Sequence, residues 1–320
     1  MGSRNRWLLS LLAVSAGACS NSTGPGHIVT VHPAGVLYGT TTLPGRPFAL
    51  TISSHGVVFV ALADSGRIVR STLPDTGLGQ PLGVGDEPTG LAVNPAGNRA
   101  YVANQFDRNV DVIDIASNQT VDVLPIVGDP FVMTAAPDGQ SLFVSSDVDT
   151  IYRIATNHTI LGAVGGPATV NALTISPDNV HLYASLPDAG VVQDIAIASN
   201  TLTRTFTIPG RPQGLAVSGD GKILYVASET SQFLYLVNTG IGAVSDSIGV
   251  SGGGFALALT PDGTQLYLTR SSAGKVTIVT LATRDTVNIA VGGAPRRFAF
   301  DATGTYAVVA NESGWVDFIR

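Results

Sequence analysis

The 320-residue chain has a single cysteine, Cys19, which excludes a disulfide within the chain and any multi-cysteine metal site. Charge is scarce: Asp, Glu, Lys and Arg supply 12% of residues, about half the usual share. Basic residues are the rarer sign, 17 against 23 acidic, for a net charge of −6. Nucleic-acid binders normally carry a basic surplus, so that class is set aside. A hydrophobic content of 44% excludes a disordered chain. Helical periodicity is missing: no segment of roughly 10–12 residues repeats apolar side chains at three- and four-residue spacing. Beyond the N-terminus no apolar run reaches about 18 residues, the length a spanning helix needs. Turn formers are abundant instead, with 37 Gly and 18 Pro.

The N-terminus carries Arg4 and Arg6, then the apolar stretch Trp7–Ala16 (WLLSLLAVSA), then small residues. A short basic stretch, an apolar run of about ten and small residues describe a secretory leader rather than a spanning helix. Ala16-Gly17-Ala18-Cys19 resembles the lipobox of bacterial lipoproteins. That resemblance implies cleavage before Cys19, lipidation of its sulfur and anchoring by several acyl chains, which hold more firmly than one. Residues 1–18 are read as signal peptide and 19–27 as lipidated Cys and flexible tether, leaving 28–320 as one domain. Loss of Arg4 and Arg6 leaves 15 basic residues against 23 acidic.

One turn recurs along the rest of the chain: Pro95-Ala96-Gly97, Pro137-Asp138-Gly139, Pro177-Asp178-Asn179, Gly219-Asp220-Gly221 and Pro261-Asp262-Gly263, with weaker copies at Gly56 and Gly304. Successive spacings from position 56 are 41, 42, 40, 42, 42 and 41 residues. Apolar alternation precedes each turn. An aromatic residue follows most of them: Tyr101, Phe143, Tyr183, Tyr225 and Tyr267 stand four residues on. Two further alternating runs complete each copy before the next, usually through Gly-x-Pro. Period-two alternation bounded by Gly, Asn and Asp turns predicts strands. Four strands per repeat, seven times, predicts an all-β, seven-bladed β-propeller with four-stranded antiparallel blades. The last copy has three strands only, so the segment Val36–Leu43 is expected to supply the missing outer strand and close the ring. Leu91–Asp114 (LAVNPAGNRAYVANQFDRNVDVID) and Leu215–Val237 resemble the YVTN-type β-propeller repeat family, and the resemblance covers about residues 43–320. It implies a bacterial surface or periplasmic seven-bladed propeller, often one without an assigned activity.

Catalytic and metal chemistry leave little trace. The histidines are 27, 32, 55, 158 and 181, with no His-x-His or His-x-x-x-His pair. Streptogramin lyases and haem-containing nitrite reductases place histidines in the propeller channel, and the matching inner-strand positions here hold none. His55, His158 and His181 are expected to be solvated residues at bottom-face turns of blades 1, 3 and 4. Asp147-Val148-Asp149 lacks the Gly-spaced loop of calcium sites. Ser251-Gly252-Gly253-Gly254 has no following Lys or helix, which argues against a phosphate loop. No metal or other cofactor is called for. Carboxylate pairs drawn from different blades stay open, with nothing singling one out.

The top face, which carries the fourth-to-first strand connections and the second-to-third strand loops, is the candidate site. Eight positions before each turn residue stand Phe48, Thr89, Phe131, Asn171, Gln213, Phe255 and Arg296, expected to ring the channel mouth. Ten before stand Arg46, Glu87, Asp129, Thr169, Arg211, Gly253 and Ala294. Arg297 occupies a position that is Ala, Val or Gly in the other six copies. Sorted by blade, the top loops of blades 5, 6, 7 and 1 hold five arginines against three acids, and those of blades 2, 3 and 4 seven acids against one arginine. Candidate ligand residues are therefore Arg46, Phe48, Glu87, Asp129, Phe131, Asn171, Arg211, Gln213, Phe255, Arg296 and Arg297.

The function this favours is a binding or scaffolding module. It would be monomeric, exported and held at the bacterial envelope by its lipid alone, on the outer-membrane, periplasmic or cell-surface side. Its expected partner is an envelope protein or an acidic glycan, docked across Arg46, Arg211, Arg296 and Arg297. The alternative is an enzyme of lyase, lactonase or hydrolase type at the channel mouth, which would need converging titratable groups. An electron-transfer role is disfavoured by the want of Cys and His ligands.

Overall fold

The computed structural model of the protein describes residues 35–165 and 169–320. The leader, Cys19, the tether, His27 and His32 lie outside the described residues. Seven four-stranded antiparallel sheets stand in a ring, and the only helix among the described residues is a single 3-10 turn, Ser271–Ala273. Six sheets are meanders of consecutive strands, within 47–83, 88–125, 130–165, 172–207, 212–249 and 257–290 (blades 1 to 6). Blade 7 takes three strands from 295–319 and its outer strand, Leu37–Thr42, from the beginning of the described chain. Innermost strands touch their neighbours all round, the seventh against the first. The fold is the seven-bladed propeller that the repeat predicts. No helix among the described residues is long and apolar enough to cross a membrane.

Closure is made by matched register. Thr40, Thr41 and Thr42 pair with Asp317, Val316 and Trp315. Val36 and Arg320 exchange backbone hydrogen bonds, and the Leu43 amide donates to the Gly314 carbonyl at 2.8 Å. The Thr40 hydroxyl donates to the buried Asp317 carboxylate at 2.6 Å, and the Trp315 indole N–H donates to its other oxygen at 2.9 Å. Burial pushes the Asp317 carboxyl above its usual range, and these donors partly offset the rise.

Alternation along the strands buries side chains on both faces of a blade, so a separate apolar cluster fills the gap between every adjacent pair of blades. The second-strand aromatics Phe59, Tyr101, Phe143, Tyr183, Tyr225 and Tyr267 are buried in these gaps. The recurring turn has a conformational cause. Its last residue adopts positive φ in all seven blades, using Gly in six and Asn179 (φ 63°) in the other. Glycine enters that region freely and Asn tolerates it better than other residues with a side chain.

Five innermost strands start with proline: Pro47, Pro88, Pro130, Pro212 and Pro295. Proline is tolerated at the first position of a strand, where a missing donor costs little. Just after each of these prolines the register slips by one residue, as between Pro47↔Leu62 and Ala49↔Ala61. A bulge of this kind re-aims the extra side chain. The residues in these slips include Phe48, Thr89, Phe131, Gln213 and Arg296, so the backbone itself presents this set at the channel mouth.

Candidate functional site

The mouth positions form a contiguous network. Phe48 and Phe131 meet edge to face with centroids 5.8 Å apart, reaching past Thr89. The Thr89 hydroxyl is 3.3 Å from both the Pro130 and Phe131 carbonyls. Asn171 donates through Nδ2 to Gln213 Oε1 at 2.8 Å, and Gln213 Nε2 donates to Glu229 Oε2 at 2.8 Å. The Arg296 guanidinium lies 4.2 Å from the centroid of Phe255, and that of Arg46 lies 5.6 Å from Phe48. Thr89 and Gln213 are buried, whereas Phe48, Phe131, Asn171, Phe255 and Arg296 keep partial exposure. Thr89 and Gln213 therefore position their neighbours, and the others form the open surface.

The arginines do not gather into one basic patch. Arg46 and Arg296 converge on Glu312, at 3.7 and 2.8 Å, and Arg46 also approaches Glu87 at 3.5 Å. Arg211 pairs with Asp188 at 2.7 Å and Glu229 at 3.6 Å, away from that group. On the acidic side, Asp129 is paired with Arg108 at 3.0 Å, and its amide donates to Asp147. Loops of adjacent blades thus exchange ion pairs, which mutes the split between basic and acidic halves. Exposed pairs of this type contribute little stability but fix side-chain orientation. Glu312, read from the sequence only as one charge among many, is the hub. Its place in a second-to-third strand loop facing Arg296 was the available signal. Beside it, Glu229, Gly253, Gly254, Phe255, Ser271, Ser272, Ala294 and Arg296 line an open cavity of about 520 Å³.

Arg297 is not at the rim. It points into the channel, where it helps line a cavity of about 160 Å³. Its Nη2 donates across the ring to the Asn171 carbonyl at 3.0 Å, and its guanidinium is 5.3 Å from the Phe255 centroid. Burial, with some repulsion from Arg296, lowers its pKa to about 10, so it stays a cation at neutral pH.

On the opposite face His55 is an exposed turn residue, as expected, whereas His158 and His181 are each held by a carboxylate. His158 Nδ1 lies 2.6 Å from Asp122 of blade 2, and His181 Nδ1 lies 2.7 Å from the fully buried Asp194. His181 heads a strand, and strand pairing sets Asp194 on the neighbouring strand within its reach. Among the described residues no group of three or more His, Cys, Asp and Glu side chains converges as a metal site would require.

No protein-family model matches the sequence. The chain is 30% identical over 150 residues to the uncharacterized protein YncE of Salmonella typhimurium and equally to that of Salmonella typhi. Those matches cover 45% of this chain and 42% of each relative, so the chain spans less than half the length of the curated relatives it matches. Among solved structures, hydrazine synthase of Kuenenia stuttgartiensis superposes with a TM-score of 0.79 at 22% identity, over 92% of this chain and 99% of that one. At that identity the likeness speaks for the fold alone, and what the comparisons establish is a seven-bladed β-propeller with a partial likeness to YncE.

Proposed function

We propose that this propeller is a lipid-anchored envelope module that binds an acidic glycan at the channel mouth. The observation that carries the reading is the pair of arginines, Arg46 and Arg296, which share the Glu312 carboxylate, Arg46 also meeting Glu87, and lie over two partly exposed rings, Phe48 and Phe255. Ion pairs of 2.8–3.7 Å to Glu312 and Glu87 orient the two guanidinium groups without using all their donors, and a planar fork matches carboxylate or sulfate oxygens. Phe48, Phe131 and Phe255 offer ring faces to sugar C–H groups, while Asn171, Glu229 and Ser271 offer donors and acceptors to hydroxyls. A rigid scaffold presenting such loops suits recognition. The carboxylates at the mouth sit against arginines, Glu312 against Arg46 and Arg296 and Glu229 against Arg211, which favours recognition over the enzyme alternative.

The test is retention on immobilised acidic polysaccharide, with a neutral polysaccharide and an envelope protein extract as the other arms. The parent should be retained at low salt and released as salt rises, because charge contacts at an exposed mouth are screened over about 10 Å at 0.1 M. Arg46→Glu/Arg296→Glu should weaken retention by at least about tenfold, the effect of losing roughly 1.4 kcal/mol. Equal retention of both proteins would overturn the reading, as would retention only by the protein extract. The anchor has its own check. Cys19→Ser should move the protein from the detergent-rich phase to the aqueous phase, and an unchanged partition would refute lipidation.

A further inference from the structure

The innermost layer of the ring follows a size rule. Ala49, Gly90, Val132, Ala172, Gly214 and Ala256 line the channel in blades 1 to 6, and blade 7 puts Arg297 at the same level. The reason for small residues is visible at Gly90 and Gly214, where a Cβ would stand 2.5 Å from the Phe131 carbonyl oxygen and from the Leu257 nitrogen. A guanidinium in that layer is the exception within the molecule's own repeat.

No carboxylate among the described residues touches it, and the Glu312 charge acts on it only from beyond ion-pair distance. Arg297 takes part in no ion pair among the described residues, whereas Arg46, Arg211 and Arg296 each have a carboxylate within 4 Å. It spends Nη2 on a neutral carbonyl, and among the described residues no hydrogen bond uses its Nε or Nη1. Neither of those nitrogens is sealed from the cavity, since neither is among the buried polar atoms left without a partner. The rest of the lining is Ala, Gly, Leu, Val, Met and Phe, with the single hydroxyl of Thr89 turned to backbone carbonyls. The inner strands are paired along one edge only, so their other edges bring backbone N–H groups to the channel alongside carbonyls, and Arg297 and Thr89 donate to three of the carbonyls. A guanidinium with spare donors, backbone edges and no acid in contact describes an anion cradle. A partly buried cation with no carboxylate in contact is costly, and a bound anion reduces that cost. The space of about 160 Å³ admits a small oxoanion with some water but not a sugar chain.

We propose that Arg297 makes the channel a binding site for a small oxoanion, of carboxylate or phosphate type, distinct from the glycan-binding mouth above it. The anion would take the Nε and Nη1 donors in a forked contact while Nη2 keeps Asn171. Small carboxylates and inorganic phosphate share this chemistry, and the experiment separates them.

The full mature protein, first exchanged into chloride, is titrated with sodium phosphate, with sodium acetate and with further chloride at constant ionic strength. Heat of binding and thermal midpoint are read together. The parent should bind phosphate, acetate or both and gain several degrees in midpoint over chloride, as expected for a ligand that binds only the folded state. Arg297→Met should fold, because an apolar chain of similar length suits that lining, and it should lose at least tenfold in anion affinity and the anion-dependent gain. Should that variant not fold, Arg297→Lys keeps the charge but not the fork and should bind more weakly than the parent. Phosphate alone or acetate alone identifies the source, and either supports the site. The proposal is overturned if the parent responds to neither anion beyond chloride, or if parent and variant respond equally. Arg46→Glu separates the two proposals: it should lose polysaccharide retention yet keep the anion response.

Discussion

A chain lacking residues 35–43 is expected to lose most of its soluble monomer, with a fall in thermal midpoint of more than about 10 °C in whatever remains. The segment supplies the whole outer strand of blade 7, Leu37–Thr42, and its removal leaves Trp315–Ile319 unpaired along one edge. It also removes Tyr38, whose ring stands 5.7 Å from Tyr306 and 6.1 Å from Phe318. An uncovered strand carrying Val316 and Phe318 is a template for pairing with other chains. The combined loss exceeds the roughly 4–5 kcal/mol that marks exceptional single substitutions. Size-exclusion elution and calorimetry of the two proteins decide it, and a deletion variant matching the parent in both would refute closure by this strand. A point change isolates the buried part of the latch. Thr40→Val takes one donor from the Asp317 carboxylate and should cost about 1–3 kcal/mol at neutral pH. The Asp317 carboxyl is already raised above 3.8 by burial, and losing the hydroxyl raises it further. A folded-state carboxyl that holds its proton longer than the unfolded one lowers stability as pH rises through that window. The deficit of Thr40→Val should therefore be small below pH 3.8 and fully developed at neutral pH.

The ring was legible because its determinants are local and repeated. A turn that needs positive φ returns at a constant period, and an alternating run follows each copy. Even closure followed from the strand count. The mouth was legible for a related reason, since the register slip after Pro47, Pro88, Pro130, Pro212 and Pro295 places one residue per blade at a fixed distance from the turn. What lies between those residues was not legible. Whether Arg46 and Arg296 meet over one carboxylate depends on how loops from different blades approach each other. Glu312, in the last blade, stands 266 positions from Arg46 along the chain. Arg297 shows the limit from the other side. Its break with the size rule was plain, but the side chain's choice of channel over rim follows from the strand pleat, which turns successive residues to opposite sides. The pairing of His181 with Asp194 was within reach in principle, because neighbouring strands of one hairpin bring such residues together. Spacing rules for metal ligands do not look for it.

The other large effect belongs to that acid. Asp194 is fully buried, and its two oxygens accept from three donors: His181 Nδ1 at 2.7 Å, and Arg204 Nη2 and Nε at 2.7 and 3.1 Å. Arg204 in turn lies 5.5 Å from the Phe206 ring centroid and donates through Nη1 to the Gly240 carbonyl at 3.1 Å, linking blade 4 to blade 5. Removing one member of a buried charge pair costs about 3–5 kcal/mol, chiefly through the charge left behind. The side left behind decides the size here. After Asp194→Ala the uncompensated group is Arg204, whose side chain is 36% exposed and can turn to water, so a loss near the lower end, about 3 kcal/mol, is expected. After Arg204→Met the carboxylate, which has no exposure, keeps only the His181 contact, and the loss should be larger, about 4–5 kcal/mol. The double variant Asp194→Ala/Arg204→Met strands neither charge and should lose clearly less than the sum of the two single losses, which makes the coupling measurable as a cycle. Urea unfolding of the four proteins reads it directly. Additive losses would show that the two groups act independently and that the buried carboxylate is held by His181 alone. None of the three variants touches the mouth, so their retention on acidic polysaccharide should equal the parent's wherever they are folded.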